Sequence, residues 1–399
     1  MQELPPNAAV PVAMIPRISH PVWLAGFCPF FALAMLSGAL LPPVWVAVFG
    51  GALPPPSRLA PLAWHAHEMF YGFGWAALGG FLLTASKNWV GVRGYHGASL
   101  AGLVLAWWLD RALASLPAGG PPALIAVGQS VFLVATVAMV SATLWRHRKQ
   151  DSYADNVYFL ILLPLFVPAK LLLLDGSGTA AGVAMSLALF RLAFLIMLER
   201  TVTQFMKGGL GIVIARHPGL DHAIKSLGLA AVAAPWVPAA LAAGVELALA
   251  ALLAVRWLQW RPWAALRRLE IGVMYLGYAA IVAQLALAGI DRVQPLGLGG
   301  GIVIHVFTFG AMGLILPAMM IRIAKGHTGR KVAFDRLDRG ALHLMFLAFV
   351  VRVVPAQLAP AHTLLWLQLA AACWLLCFGL LAWRYIPFLL APRVDGKEH

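Results

Sequence analysis

The sequence predicts an all-α, polytopic membrane protein of about twelve transmembrane helices. Three observations carry that prediction. The chain has 399 residues, 61% of them hydrophobic, and a mean hydropathy of +0.83. Only 11% are charged, where a soluble domain carries about 25%. The apolar residues fall in runs of about 20, the length that spans a bilayer core, and basic residues gather in the short connections between them.

Residues 1–21 are Pro-rich and nearly uncharged, with no basic region ahead of an apolar core. A cleavable signal peptide is therefore not expected, and helix 1, at 22–48, inserts directly. Helix 2 is expected at 64–85, within the stretch WHAHEMFYGFGWAALGGFLLTASKNW. Helix 3 follows at 98–116 and helix 4 at 122–145, opened by Pro121-Pro122. Helices 5 and 6 fall at 154–174 and 179–205. Helices 7 (222–240) and 8 (241–259) share one unbroken apolar stretch, with Pro235 and Pro238 marking the turn. Helices 9 to 12 are expected at 267–290, 298–323, 337–357 and 361–385. The transmembrane domain thus covers 22–385, and 386–399 form a tail. Pro42-Pro43 and Pro54 to Pro56 are expected at helix ends, where a missing N–H is tolerated. The chain carries no strong internal repeat and no low-complexity tract.

Charge placement orients the bundle. The net charge of +14 and pI near 10.3 do not point to nucleic acid, because the cations sit between apolar runs, where they set topology and meet anionic lipid. Connections after the even-numbered helices carry nineteen Lys and Arg residues, and those after the odd-numbered helices carry Arg58, Arg111 and Arg292. By the positive-inside rule the even connections and both termini are cytoplasmic. The start of helix 2 then lies at the outer face. Three cysteines, Cys28, Cys373 and Cys377, imply no disulfide framework. Cys373 and Cys377 share a helix face, more simply as small hydrophobes than as a thiolate pair.

Chemistry is sought where polar groups survive inside apolar segments, since burying an unpaired one costs several kcal/mol. His65, His67 and Glu68 cluster at the outer mouth of helix 2. The two histidines lie about 200° apart on a continuous helix, so one is expected to ligate while the other orients or faces water. The plainer reading is an interfacial belt with Trp64. In helix 10, His305 is expected about two turns inside the boundary, with Met312 on the same face. An intramembrane imidazole suits Fe, Cu or Zn, or simply a hydrogen bond to a neighbouring helix. Met312 can meet Cu(I), although methionine more often packs a core. His343 lies in helix 11, and His362 starts helix 12 at the depth of His65 and His67. Arg191, in mid-helix 6, is open to pairing with Glu246 or to holding an anionic cofactor group. AKGHTGR, 324–330, places His327 and Arg330 at a turn able to offer N–H groups to an anion. Asn88 and Trp89 close helix 2. No covalent-haem, Walker A, zinc-protease or nucleophile-elbow motif is present.

WHAHEMFYGF…GGFLLTASKNWVG (64–91), HVFTFGAMG (305–313) and GHTGR (326–330) resemble the NnrS family. These are twelve-helix, haem- and copper-containing inner-membrane proteins associated with denitrification and the response to nitric oxide. The resemblance spans both halves of the chain. This sequence departs from the expected pattern at Ser86-Lys87 and in ERTVTQFMKGG (199–209). What the resemblance implies is a noncovalent haem b, a copper site, nitric oxide or a related small molecule as partner, protection from nitrosative stress, and a bacterial inner-membrane location. His65, His67 and His305 become the expected haem or metal ligands, with His343 and His362 as further metal candidates. No catalytic residue and no electron partner follow from it. Two competing readings stand beside it. A membrane-bound NO-metabolising haem–copper oxidoreductase needs more mid-membrane histidines than His305 and His343. A secondary transporter needs paired broken helices, and Gly-rich 297–301 and the Pro235/Pro238 region do not form such a pair.

Overall fold

An apolar run placed in lipid must satisfy its backbone groups internally, so each run that crosses the bilayer here coils into a helix. The structure, a computed structural model, describes residues 20–55, 58–115, 120–299 and 301–396. Twelve helical segments follow in order: α1 (Phe27–Phe49), α2 (Pro61–Trp89), α3 (Ala98–Ser115), α4 (Pro122–Arg146), α5 (Ala154–Leu174) and α6 (Thr179–Leu210). Then come α7 (Pro218–Ala230), α8 (Ala239–Gln259), α9 (Leu269–Val293), α10 (Ile302–His327), α11 (Arg336–Leu358) and α12 (Pro360–Leu390). No strand occurs among the described residues.

Ten of these helices are long and apolar enough to cross a membrane. The other two are α3, which carries Asp110 and Arg111, and α7, which tightens into a 3₁₀ segment at Ala231–Trp236. Helices 7 and 8 of the sequence reading divide at Val237-Pro238, because Pro238 caps α8 and a proline cannot continue the preceding hydrogen-bond ladder. Pro42 and Pro43 fall inside α1, not at its end; such breaks are tolerated in membrane helices, where neighbouring groups re-satisfy the freed carbonyls.

α2 and α6 are the most enclosed helices, and α4, α5, α8, α11 and α12 form the rim. α1 packs against α2 and α12, α3 against α4, α5 against α6, and α8 against α9. Small residues set the closest approaches, as is usual where lipid supplies no hydrophobic drive between helices. At Gly80 of α2 a Cβ would lie 2.5 Å from Phe30 Cβ, so only glycine lets α1 reach this distance.

Several cations expected in the even-numbered connections are buried at that end of the bundle. Arg200 and Lys225 pair with Asp155 at 2.6 and 2.9 Å, and Lys225 also reaches Glu199 at 3.1 Å. Arg256 pairs with Glu199 and Asp221 and donates to the Tyr278 hydroxyl at 2.8 Å. This end is the basic face of the bundle. Arg111, counted above among the connections of the opposite face, lies buried within α3.

Candidate functional site

Both histidine-bearing helices change their winding at the same offset. In α2 a π-helical turn runs from Glu68 to Gly74, three residues after His65. In α10 another runs from Thr308 to Gly313, three residues after His305. Such turns recur at functional sites because they re-aim side chains and free carbonyls. In α2 the freed carbonyls are taken from α3: Trp107 Nε1 donates to Gly72 O at 3.0 Å and Arg111 Nη1 to Tyr71 O at 3.1 Å. That accounts for a buried charged residue towards the end of α3. Gly74 lets the two turns meet, since a Cβ there would lie 3.1 Å from Met312 Cε.

Around the α2 turn lies a buried ionic cluster. His67 Nδ1 is 2.9 Å from Glu68 and its Nε2 is 3.3 Å from Asp110. Arg111 reaches Glu68 at 2.9 Å and Asp110 at 2.7 Å, and Lys170 reaches Asp110 at 2.5 Å. The members come from α2, α3 and α5 and are all less than a tenth exposed. A carboxylate oxygen thus lies near each ring nitrogen of His67.

His65 points elsewhere, as a residue two positions away on a helix must. It lines a cavity of about 1140 Å³, and His305 lines the same cavity from α10. Met69, Met312, Phe70, Phe73, Phe309 and Trp374 are among its apolar walls, and Arg191, Arg292 and Arg352 its cations. The His65 ring stacks on Trp45 with centroids 4.3 Å apart. His305 Nδ1 lies 2.8 Å from Gly301 O and 3.1 Å from Arg352 Nη2. Only one of these is a hydrogen bond in a given tautomer. If Nδ1–H donates to Gly301, Nε2 keeps a lone pair; if Nδ1 accepts from Arg352, the proton sits on Nε2. Arg292 holds Glu246 through two bonds of 2.7 and 3.0 Å, and Arg191 donates to Gln284 at 2.8 Å. Arg191 is 2% exposed, and its Nε has no hydrogen-bond partner.

A second cavity, of about 170 Å³, opens at the basic face between the ends of α2, α6 and α10. Asn88, Trp89, Arg200 and His327 are on its wall.

Residues 21–393 match the model of the NnrS protein family. The chain belongs to the NnrS family. Membership makes it a membrane protein of the nitric oxide response. No curated protein sequence matches it.

In this NnrS chain the expected ligands separate. His65 and His305 share the large cavity with Met312 and Arg191, while His67 and Glu68 belong to the ionic cluster behind it. His305 sits in the first turn of α10, shallower than expected, because Gly301 takes a left-handed conformation (φ 65°) and the helix starts only at Ile302. His343 and His362 are exposed, and neither is on the cavity wall. Arg191 does not pair with Glu246, which Arg292 occupies. Asn88, Trp89 and His327 meet at the small cavity. The GHTGR turn is covered by the tail: Arg393 donates to His327 O at 2.8 Å and Val394 N to Thr328 O at 3.1 Å. Arg330 lies 3.9 Å over the Phe388 ring. Cys28, Cys373 and Cys377 are free thiols. Sequence reasoning passed over Asp110 and Arg292, which sit near helix ends and look like ordinary interfacial charge. The adjacent pair Asp110-Arg111 in an otherwise apolar run is the signal that could have found the first.

Proposed function

We propose that the large cavity is a haem pocket and that the protein binds nitric oxide or a related small molecule there as part of nitrosative-stress protection. The observation that carries this reading is the convergence of His65 and His305, from two helices, on one aromatic-walled cavity bearing three guanidinium groups. Its volume of about 1140 Å³ is somewhat above the roughly 300–1,000 Å³ of most small-molecule and cofactor sites. The donor set suits a flat apolar macrocycle with anionic carboxylates. His65 and His305 would supply imidazole to iron, the Nδ1–H to Gly301 bond leaving Nε2 of His305 free for it. Arg191 would hold a carboxylate through the buried Nε that lacks a partner. When bound, haem supplies an iron centre able to take a diatomic ligand.

The chain's own contribution is binding, orientation and exclusion of water. Trp45 fixes the His65 ring from one face, and the aromatic walls lower the local polarity. Behind the wall, Asp110, Arg111 and Lys170 lock the π-helical turn that aims His65. Copper finds no comparable set: among the described residues no group of three or more His, Cys, Asp or Glu is arranged to hold a metal ion. In orientation, the basic face would be cytoplasmic, supported by the excess of Lys and Arg at that end, and the membrane, on the family reading, the bacterial inner membrane.

The test is haem content per protein for His65→Ala and His305→Ala, with His343→Ala as control, in protein that still inserts and purifies. Loss in the first two with retention in the control is expected. Full haem in both cavity variants would remove the histidines from the site.

A further inference from the structure

Arg200 is 4% exposed, yet two of its three guanidinium nitrogens, Nε and Nη1, have no hydrogen-bond partner. Nη2 alone is engaged, donating to Asp155 at 2.6 Å. Aromatic rings pack close around the group: its carbon lies 4.2 Å from the Tyr153 ring centre and 4.9 Å from that of Trp89. These contacts stabilise a cation but accept no N–H bond in the guanidinium plane. Arg200 is on the wall of the 170 Å³ cavity at the basic face. We propose that this cavity is a binding site for a small oxyanion, separate from the haem pocket, with Arg200 as its anchor.

Three further observations agree. The cavity wall carries no carboxylate, and it offers the amides of Asn88 and Gln204 at an exposed rim. Thr84 and Thr201 already donate to the Gly80 and Met197 carbonyls, whereas buried Arg200 keeps two nitrogens without a partner. Charge is also in surplus. The ionic network that contains Arg200 joins four cations, Arg200, Arg216, Lys225 and Arg256, to three carboxylates, Asp155, Glu199 and Asp221. An anion on Arg200 would balance the count at a buried member of the network that still has two unpartnered nitrogens, where an uncompensated charge is costly. A guanidinium matches the planar oxygens of such a ligand better than an ammonium does. The volume admits a group of a few heavy atoms and falls well short of the roughly 300 Å³ at which nucleotide- or drug-sized pockets begin.

The experiment is calorimetric titration of the full-length detergent-purified protein with sodium nitrite, sodium acetate and sodium phosphate. One-site binding of at least one anion is expected in the wild type. Arg200→Gln should weaken it tenfold or more. Asn88→Trp changes only an exposed rim residue and should weaken it similarly by closing the mouth, so it decides the question if Arg200→Gln fails to fold. Arg191→Gln, in the haem pocket, should leave it unchanged. Absence of binding for all three anions would overturn the proposal, as would binding that survives both rim and anchor variants or is lost only in Arg191→Gln. Nitrite can also bind ferric haem iron, so the loss of binding in Arg200→Gln and Asn88→Trp, with retention in Arg191→Gln, is what assigns the anion to the small cavity.

Discussion

Asp110 is the carboxylate on which two cations converge, at 2.5 Å from Lys170 and 2.7 Å from Arg111, with His67 Nε2 3.3 Å away. Replacing it with asparagine keeps the shape and removes one charge, leaving Glu68 to face Arg111, Lys170 and the imidazole. Breaking a buried ion pair by deleting one partner costs about 3–5 kcal/mol. The amide still accepts one hydrogen bond, worth about 1 kcal/mol, so Asp110→Asn should cost about 3 kcal/mol. Lys170→Met alone leaves two carboxylates with fewer donors and should cost a similar amount. In the double variant Glu68 still faces Arg111, and the two losses should fail to add by about 2 kcal/mol or more, as expected for residues in one network. The assay is reversible unfolding in mixed micelles, with the four proteins forming a double-mutant cycle. A cost below about 1 kcal/mol for Asp110→Asn, or strict additivity, would refute the reading of this cluster as a coupled buried network.

Two other predictions concern the cavity and the tail-side face. Arg191→Gln removes the cation whose Nε lacks a partner, and a hydrogen bond to a charged group contributes about 1.5–3 kcal/mol. Haem affinity measured by hemin titration should therefore fall by roughly 10- to 150-fold, and an unchanged affinity would take Arg191 out of the site. At the start of α11, Asp335 is held below the usual carboxylate range, first by its hydrogen bond from Arg384. Its stabilising contribution is thus present above the unfolded-state value near 4 and is lost as pH falls through the folded-state value. Being 46% exposed, the pair should contribute less than about 1 kcal/mol. The stability difference between wild type and Asp335→Asn should shrink between pH 5 and pH 3, and a difference that grows on acidification would contradict the assignment.

How much of this was legible in the sequence follows from what each feature depends on. The helices were, because apolar run length and proline position decide them locally; the Pro238 break and the start of α4 at Pro122 are direct examples. The grouping of His65 with His305 was not, since 240 residues of chain separate them and only packing brings them to one wall. Neither π-helical turn had a sequence signal beyond the glycines that end them, and those turns decide where both histidines aim. Arg191 and Arg292 illustrate a further limit. Sequence names Glu246 as a partner for some buried cation, but which arginine takes it depends on the distance between α6, α8 and α9. Asn88, Trp89 and His327 stood out as motif residues with no chemistry attached. The small cavity they share only exists once α2, α6 and α10 end at the same face.

The central claim, that the His65/His305 cavity is a haem pocket of the nitric oxide response, is tested most directly by the visible spectrum of detergent-purified protein, reduced and then exposed to nitric oxide. A b-type haem band in the Soret region that shifts on addition of the gas is the predicted result. Folded protein that stays colourless even after reconstitution with hemin would contradict it.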